Sequence, residues 1–484
     1  MTLLLVVPDG IGVRNFVLGS FLHQASERGR VVALHVVPDD LLPAYAGDVP
    51  DVEWHRLVQQ GSGGRATETL ANALGYAHMY WAGTRAMRRR LAAPVQAPTL
   101  GRWAMIRTAR SLGRVASSPG GIAALDRAHQ FVASRTGAVE EYRRLFERVR
   151  PSVLFCSHQR PPGIVAPTLA ARALGIPTAT FIFSWDNLTS KGRIAAPFDH
   201  YLVWSEQMRK ELLRYYPDVM PDRVHVVGTP QFDPHVDERL QWSREEFFAR
   251  VGADPSRPLI CYSGGDVGTC PEDAAHVSIL LEHIRAGRIP GNPQVVLRPA
   301  PVDSGARYES VRTRYPELIY APPEWVHVQP GNWARVMPLA ADVAFLANLT
   351  RYCDVNVNTA STMTLDFAIH DRPVVNIGFD VASPPWLGQP VWDVYYQYEH
   401  YRPVVELGAV RVARSADELA AHVSAYLENP ALDREARRRL VELEVSLPLG
   451  CSNARILDVL DRISVPRGED GGVRRASAAA VGAR

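Results

Sequence analysis

Short loops rich in polar side chains follow several apolar runs of this sequence, and their residue types suit the handling of a sugar nucleotide. In Cys353 to Phe379, CDVNVNTASTMTLDFAIHDRPVVNIGF, the residues Thr359, Ser361 and Thr362 offer hydroxyls and free backbone N–H groups at an expected helix start. Orphan donors and the helix macrodipole favour a diphosphate there. Asp366 lies one helical turn deeper, where a carboxylate can accept hydrogen bonds from ribose hydroxyls. The plain alternative is a capped helix between two core strands, with Asp366 solvated. The loop YSGGDVGT offers Gly264 and Gly265 for close backbone approach to a diphosphate. It lacks the Gly-Lys-Ser/Thr of an ATP-binding P-loop. LRPAPVD places Arg298 at a strand end, within reach of a ligand phosphate or simply at the surface.

Proton transfer has two candidates. His158, in the loop CSHQRPPG, can act as a general base near neutral pH, or can be an ordinary hydrogen-bonded loop residue. Asp186, in FSWDNLTSKGR, can be a base beside Lys191 and Arg193, which could meet a phosphate; alternatively Asp186 and Asn187 only brace the loop. The opening loop PDGIGVRNF contributes Asp9, Arg14 and Asn15. Its G-x-G lacks the third glycine and the downstream acid of a dinucleotide fingerprint.

These loops need strands and helices to position them. Apolar runs at Leu3–Val7, Val31–Val36, Val153–Cys156, Thr178–Phe183, His200–Trp204 and Val224–Val227 alternate with amphipathic stretches, the pattern of a parallel doubly wound sheet. Helices are expected near 16–27, 166–174 and 206–215. A second series has strands at 259–262, 294–297, 325–328, 354–357 and 374–377, with helices at 274–286, 337–346 and 364–369. A charged helix at 432–444 closes it, and 456–463 could return to the first half. At 484 residues, two domains are the natural expectation.

The 46% hydrophobic and 21% charged fractions are those of an ordinary globular chain, and a net charge of +2 with no recognition motif argues against nucleic acid as a partner. Five scattered cysteines without ligand spacing read as reduced thiols, mostly buried. No convincing Asp-x-Asp metal motif is present. The first residues, MTLLLVVPDGIGV, read as a strand rather than a signal, and no run reaches the roughly 20 apolar residues of a membrane span. The protein is therefore expected to be cytoplasmic, or at most peripheral. Trp81 to Arg114 is basic and free of acidic residues, a solvated helical face or a surface for an anionic membrane.

Together these segments resemble the GT-B superfamily of nucleotide-sugar glycosyltransferases, on the pattern Ser-Thr-x-x-x-acid-x-Ala-x-x-x-x-Pro-Val-Val from Ser361 to Val375. SWDNLTSKGR and AFLANLTRYCDVNVNTASTMTLD are also similar to bacterial surface-polysaccharide transferases. The resemblance implies an α/β, GT-B architecture of two Rossmann-like doubly wound domains facing a central cleft. An acceptor domain would span 1–235, with a helical insertion at about 61–135. A donor domain would span 236–445, followed by a helix at 446–465 packing back and a disordered tail at 466–484. Gly264, Gly265, Arg298, Ser361, Thr362 and Asp366 would hold the donor. Asp9, Arg14, Asn15, Asn187 and Lys191 would face the acceptor, with His158 or Asp186 as base. No metal or cofactor is implied beyond the nucleotide sugar; the acceptor would be a glycan, a lipid-linked molecule or a small molecule. Asp366 stands where most such enzymes have Glu, and the usual early histidine is missing from Gly10 to Asn15. A sugar-nucleotide 2-epimerase, a polyol-phosphate transferase and a non-catalytic sugar-nucleotide binder are the alternatives.

Overall fold

The computed structural model describes residues 1–47, 49, 51–58, 64–329 and 333–464. The expected tail at 466–484 and the first residues of the expected insertion lie outside them. Seven parallel strands, β1 (Thr2–Val7), β2 (Arg30–His35), β3 (Glu53–Arg56), β4 (Val153–Cys156), β5 (Thr178–Phe181), β6 (His200–Val203) and β7 (Val224–Val226), form one sheet. Their order is β3-β2-β1-β4-β5-β6-β7. The central strands β1, β2 and β4 are mainly apolar without alternation because helices cover both faces, and Leu3, Leu4, Leu5 and Val6 are wholly buried.

A second half adds β8 (Leu259–Ser263), β9 (Gln294–Arg298), β10 (Ile319–Tyr320), β11 (Trp325–His327), β12 (Val336–Pro338), β13 (Val355–Asn358), β14 (Val374–Ile377) and β15 (Arg411–Ala413). Six of these make a parallel sheet ordered β10-β9-β8-β13-β14-β15. Counted by its own strands, this sheet repeats the order of the first. In each sheet the chain reverses direction of assembly beside its first strand, at β1/β4 and at β8/β13, and a crevice opens there at the strands' C-terminal ends.

Three expectations need correction. Trp325–Val328 was expected to join the parallel series, but β11 pairs only with β12, antiparallel, with Trp325 opposite Pro338. The helix expected from Met337 begins at Ala340, because Pro338 lacks an N–H and Leu339 is extended. The helix expected over 16–27 is broken: a π-helical turn covers Val13–Val17 and the α-helix runs from Phe21 to Arg28. Strands β3, β10, β12 and β15 escaped sequence reading: the last three are only two or three residues long, too short to show a period, and at β3 the charged Glu53 and Arg56, of a kind that protects sheet edges, mask it.

Five helices, Gly64–Ala82, Arg85–Ala92, Leu100–Val115, Pro119–Ala133 and Gly137–Val149, connect β3 to β4. The first, third and fourth share a small core of Ala73, Leu74, Ala77, Ala109, Ile122 and Leu125. Gly113 permits their close crossing, since a Cβ there would lie 2.6 Å from Tyr76 Cβ and 2.7 Å from Ala73 O. At the other end of the chain, the helix Ser452–Ile463 lies against Phe21–Arg28, where Asn453 donates to Ser20 and Arg28 pairs with Asp458 and Asp461.

Candidate functional site

Both β1 and β4 end at the first crevice, and each delivers one member of a buried pair. After β1, Pro8 ends the strand and Asp9 caps the next turn, with Oδ1 accepting from the Gly12 amide at 2.8 Å. Its other oxygen meets His158 Nδ1, presented by the loop after β4. The imidazole stacks on Phe183, ring centroids 4.1 Å apart. His158 Nε2 is buried and has no hydrogen-bond partner, as is the neighbouring Ser157 Oγ. Burial would raise the Asp9 pKa, but His158 and the Gly12 and Ile11 amides outweigh it and hold the carboxyl below its ordinary value. An ionised carboxylate fixing one imidazole nitrogen leaves the other free to exchange a proton.

Asp186 has a different environment. Its carboxylate accepts from Ser190 Oγ at 2.6 Å and Asn187 Nδ2 at 3.0 Å, with Lys191 Nζ 3.8 Å away. Burial would raise its pKa, yet Lys191, His400, Ser184 and Ser190 together hold it well below the usual carboxylate range. A carboxylate so strongly acidic is a poor proton acceptor near neutrality. Asn187 braces the loop by accepting from Gln159 Nε2, and Gln159 Oε1 in turn receives the Phe183 amide. Gln159 and Phe183 were not singled out from sequence; only their position within the two polar loops pointed to them.

On the donor side the geometry departs from expectation. The Gly264 and Gly265 amides, expected to face a diphosphate, are already engaged, by Arg298 O at 2.9 Å and Asp273 Oδ2 at 2.8 Å. A Cβ on either glycine would collide with Tyr308 or Cys270, so these glycines serve packing. Arg298, expected to be free at a strand end, is buried and grips both oxygens of Asp342, at 2.9 and 3.0 Å, although its Nη1 has no partner. Asp366, expected to be open to ribose, is buried and meets His235 Nε2 at 3.0 Å. His235 also faces His370, which burial, His235, Arg351 and Arg372 push down to about 3.

Ser361 and Thr362 do form the turn before a helix, Met363–Ile369. An amide network holds this turn from below. Asn356 donates to Ser263 Oγ at 2.7 Å, Asn358 donates to Asn356, and Asn358 Oδ1 receives both Asn376 Nδ2 and the Ser361 amide, each at 3.0 Å. Tyr401 completes it with 2.8 Å bonds to Asn376 and Thr364. The side chains of Ser263, Asn356, Asn358, Thr364, Asn376 and Tyr401 are fully buried or nearly so, which is where such a network is most rigid.

The two halves meet edge to edge over these loops. Trp185 Nε1 donates to Thr362 Oγ1 at 3.1 Å, Thr189 Oγ1 lies 2.9 Å from His400 Nδ1, and Tyr45 donates to Pro338 O at 2.6 Å. Ile11, Phe183, Trp325 and Val336 pack together across the seam. Arg14, hydrogen-bonded to Gln231 and to Asn15, reaches toward Asp366 and Asp342; burial lowers its pKa and these carboxylates oppose that. The structure thus joins Asp9 to His158 and brings Trp185, from the Asp186 loop, to Thr362. It keeps Gly264, Gly265 and Asp366 occupied with internal partners. A cavity of about 920 Å³ lies elsewhere, at the N-terminal ends of β5 and β6, where Arg193 pairs with Asp126 and Arg172 with Asp199. Among the described residues, no group of three or more His, Cys, Asp or Glu is placed to hold a metal ion.

No protein-family model and no curated protein matches the sequence. Solved structures do resemble the fold. UDP-GlcNAc 2-epimerase from Neisseria meningitidis, bound to UDP-GlcNAc, aligns over 96% of this chain and 100% of its own, with 11% identity and a TM-score of 0.53. A Listeria monocytogenes protein assigned as a UDP-N-acetylglucosamine 2-epimerase aligns over 95% of each chain, with 12% identity and a TM-score of 0.53. A glycosyltransferase from Rickettsia africae ESF-5 aligns over 96% of this chain and 98% of its own, with 10% identity and a TM-score of 0.49. The likeness is one of backbone: the chain has the GT-B fold of two Rossmann-like halves.

Proposed function

We propose that this chain is a metal-independent glycosyltransferase that moves a sugar from a nucleoside-diphosphate sugar to an acceptor hydroxyl, in the cytoplasm and in the making of a bacterial glycan or glycoconjugate. The observation that carries the reading is the Asp9–His158 pair at the first crevice, with Nε2 left without a partner, while Trp185 of the Asp186 loop meets Thr362 in the second half. In this reading His158 Nε2 accepts the proton of the acceptor hydroxyl while that oxygen bonds to the anomeric carbon. The bond from that carbon to the diphosphate oxygen breaks, and the diphosphate leaves with the electron pair. Asp9 steadies the imidazolium so formed. Arg14, Arg298 Nη1 and the Ser361 and Thr362 hydroxyls are the groups available to the growing negative charge. Donor entry requires the Trp185–Thr362 contact to part; its return excludes water.

Calorimetry and thermal shift against a panel of nucleoside-diphosphate sugars test the donor site. A ligand at 100 times its dissociation constant adds about 2.7 kcal/mol of apparent stability. His158→Ala should keep donor binding and lose roughly 10²- to 10⁴-fold in turnover. Full turnover in that variant would remove His158 as the base.

A 2-epimerase is the second reading, favoured by the two resembling structures with TM-scores of 0.53. It needs no acceptor. Conversion of a UDP-N-acetylhexosamine incubated alone with the protein, followed by NMR, would favour it over transfer.

A further inference from the structure

Between Glu68 and Asp126 the chain has eight arginines and no acidic residue. Three of the eight are used internally: Arg89 donates to Leu387 O, Arg102 pairs with Glu68, and Arg110 donates to Tyr80 and nearby carbonyls. Arg85, Arg88, Arg90, Arg107 and Arg114 make no ion pair among the described residues. Apolar side chains stand among them, with Leu100 80%, Val115 87%, Trp103 38% and Leu112 38% exposed. The helix Leu100–Val115 turns Ala109 and Gly113 inward against Gly64–Ala82. At about 100° per residue, Leu100, Trp103, Arg107, Arg114 and Val115 then share one outward face about 120° wide. The Arg107 guanidinium lies over the Trp103 ring at 4.9 Å.

We propose that the helices Arg85–Ala92 and Leu100–Val115 form a docking surface for an anionic lipid bilayer. Leu100, Trp103 and Val115 enter the headgroup region, and Arg107 and Arg114 meet lipid phosphates. Cations interleaved with aliphatic and indole side chains suit that interface, where apolar burial and charge attraction add. A nucleic-acid backbone would use the arginines but leave Leu100 and Val115 in water. The surface also adjoins the candidate site: the Arg85 amide donates to Glu399 at 2.9 Å, and Thr84 Oγ1 donates to Thr189 O, in the loop that carries Asp186. Docking would bring a membrane-held acceptor hydroxyl to the seam. That last step rests on the glycosyltransferase reading; the docking does not.

The test is co-sedimentation of the full chain with vesicles of phosphatidylcholine alone and of phosphatidylcholine with 30% phosphatidylglycerol, at low and high salt. Binding to the anionic vesicles only, weakened by salt, is expected. R107E/R114E should weaken it about tenfold or more, and L100S/V115S should also weaken it without changing the salt dependence. All four positions are exposed, and unchanged melting temperatures would show that both variants fold. No binding to anionic vesicles, binding unaffected by either variant, or binding to a DNA oligonucleotide but not to vesicles would overturn the proposal. Donor affinity measured on the same variants should stay at the wild-type value, so loss of docking and failure of the donor site give different results.

Discussion

At the scale of single residues, the strongest chemistry comes from two side chains 149 positions apart, Asp9 and His158. Each was visible in the sequence as a polar residue behind a strand, but their pairing was not, because nothing local marks which of seven strands lie side by side. Asp9→Asn keeps the shape of the pair and removes the charge that stabilises an imidazolium. Turnover should fall roughly a hundredfold or more with donor affinity unchanged in calorimetry; equal turnover would make the pair structural. Asp366 shows the opposite case. It looked accessible from its spacing, yet it is buried against His235. Asp366→Ala should therefore cost about 1–3 kcal/mol of stability in urea denaturation, by leaving a buried ring nitrogen unpaired. A variant as stable as wild type would return Asp366 to the role of an open ligand residue.

At the scale of elements, the amide network across β8, β13 and β14 fixes the Ser361–Thr362 turn. Asn356, Asn358 and Asn376 interrupt otherwise apolar strands, and strand propensity disfavours them. Their cost is offset because each finds partners on the neighbouring strand. Tyr401→Phe removes one hydroxyl that serves both Asn376 and Thr364. It should destabilise by about 1–3 kcal/mol and weaken donor binding; destabilisation alone would separate the network from the site. The contact between the first loop and β12 is also an element-scale fit. A Cβ at Gly10 would stand 1.8 Å from Val336 O, backbone that cannot easily yield. Gly10→Ala should loosen the seam, lowering stability by about 1–3 kcal/mol and enlarging the radius of gyration in small-angle scattering.

At the scale of the molecule, two helices join the halves beside the seam and trap a pair of carboxyls. Glu211 is on Glu206–Tyr215 and Glu444 ends Arg434–Glu444. Burial, with Glu211 adding, pushes Glu444 up to about 8. Burial also pushes Glu211 up to about 7, the Gln207 hydrogen bond opposing and Glu399 and Asp186 adding. Both groups bind protons more tightly folded than unfolded. Their contribution to stability is complete below the ordinary glutamate value of 4.5 and is lost as pH rises to about 8. Glu444→Gln should thus gain stability over wild type with rising pH, on the order of 5 kcal/mol at pH 8.5 and little at pH 4.5. Melting curves at several pH values would show it; an equal difference at every pH would contradict it.

Local pattern was enough to reveal two alternating strand-helix series, most strand positions and the polar loops, because periodicity and chain punctuation act over a few residues. It was also enough to mark Ser361–Thr362 as a turn before a helix. Which loops face one another depended on strand order and on closure of the two halves, neither of which leaves a local signal. Burial decided much of the rest: it tied Arg298 to Asp342 and Asp366 to His235, filled the Gly264 and Gly265 amides and left His158 with one free nitrogen, while Lys191, His400, Ser184 and Ser190 hold Asp186, against its burial, too acidic for a base. A charged side chain cannot remain unpaired inside a protein, and its partner is chosen by the packing of distant segments.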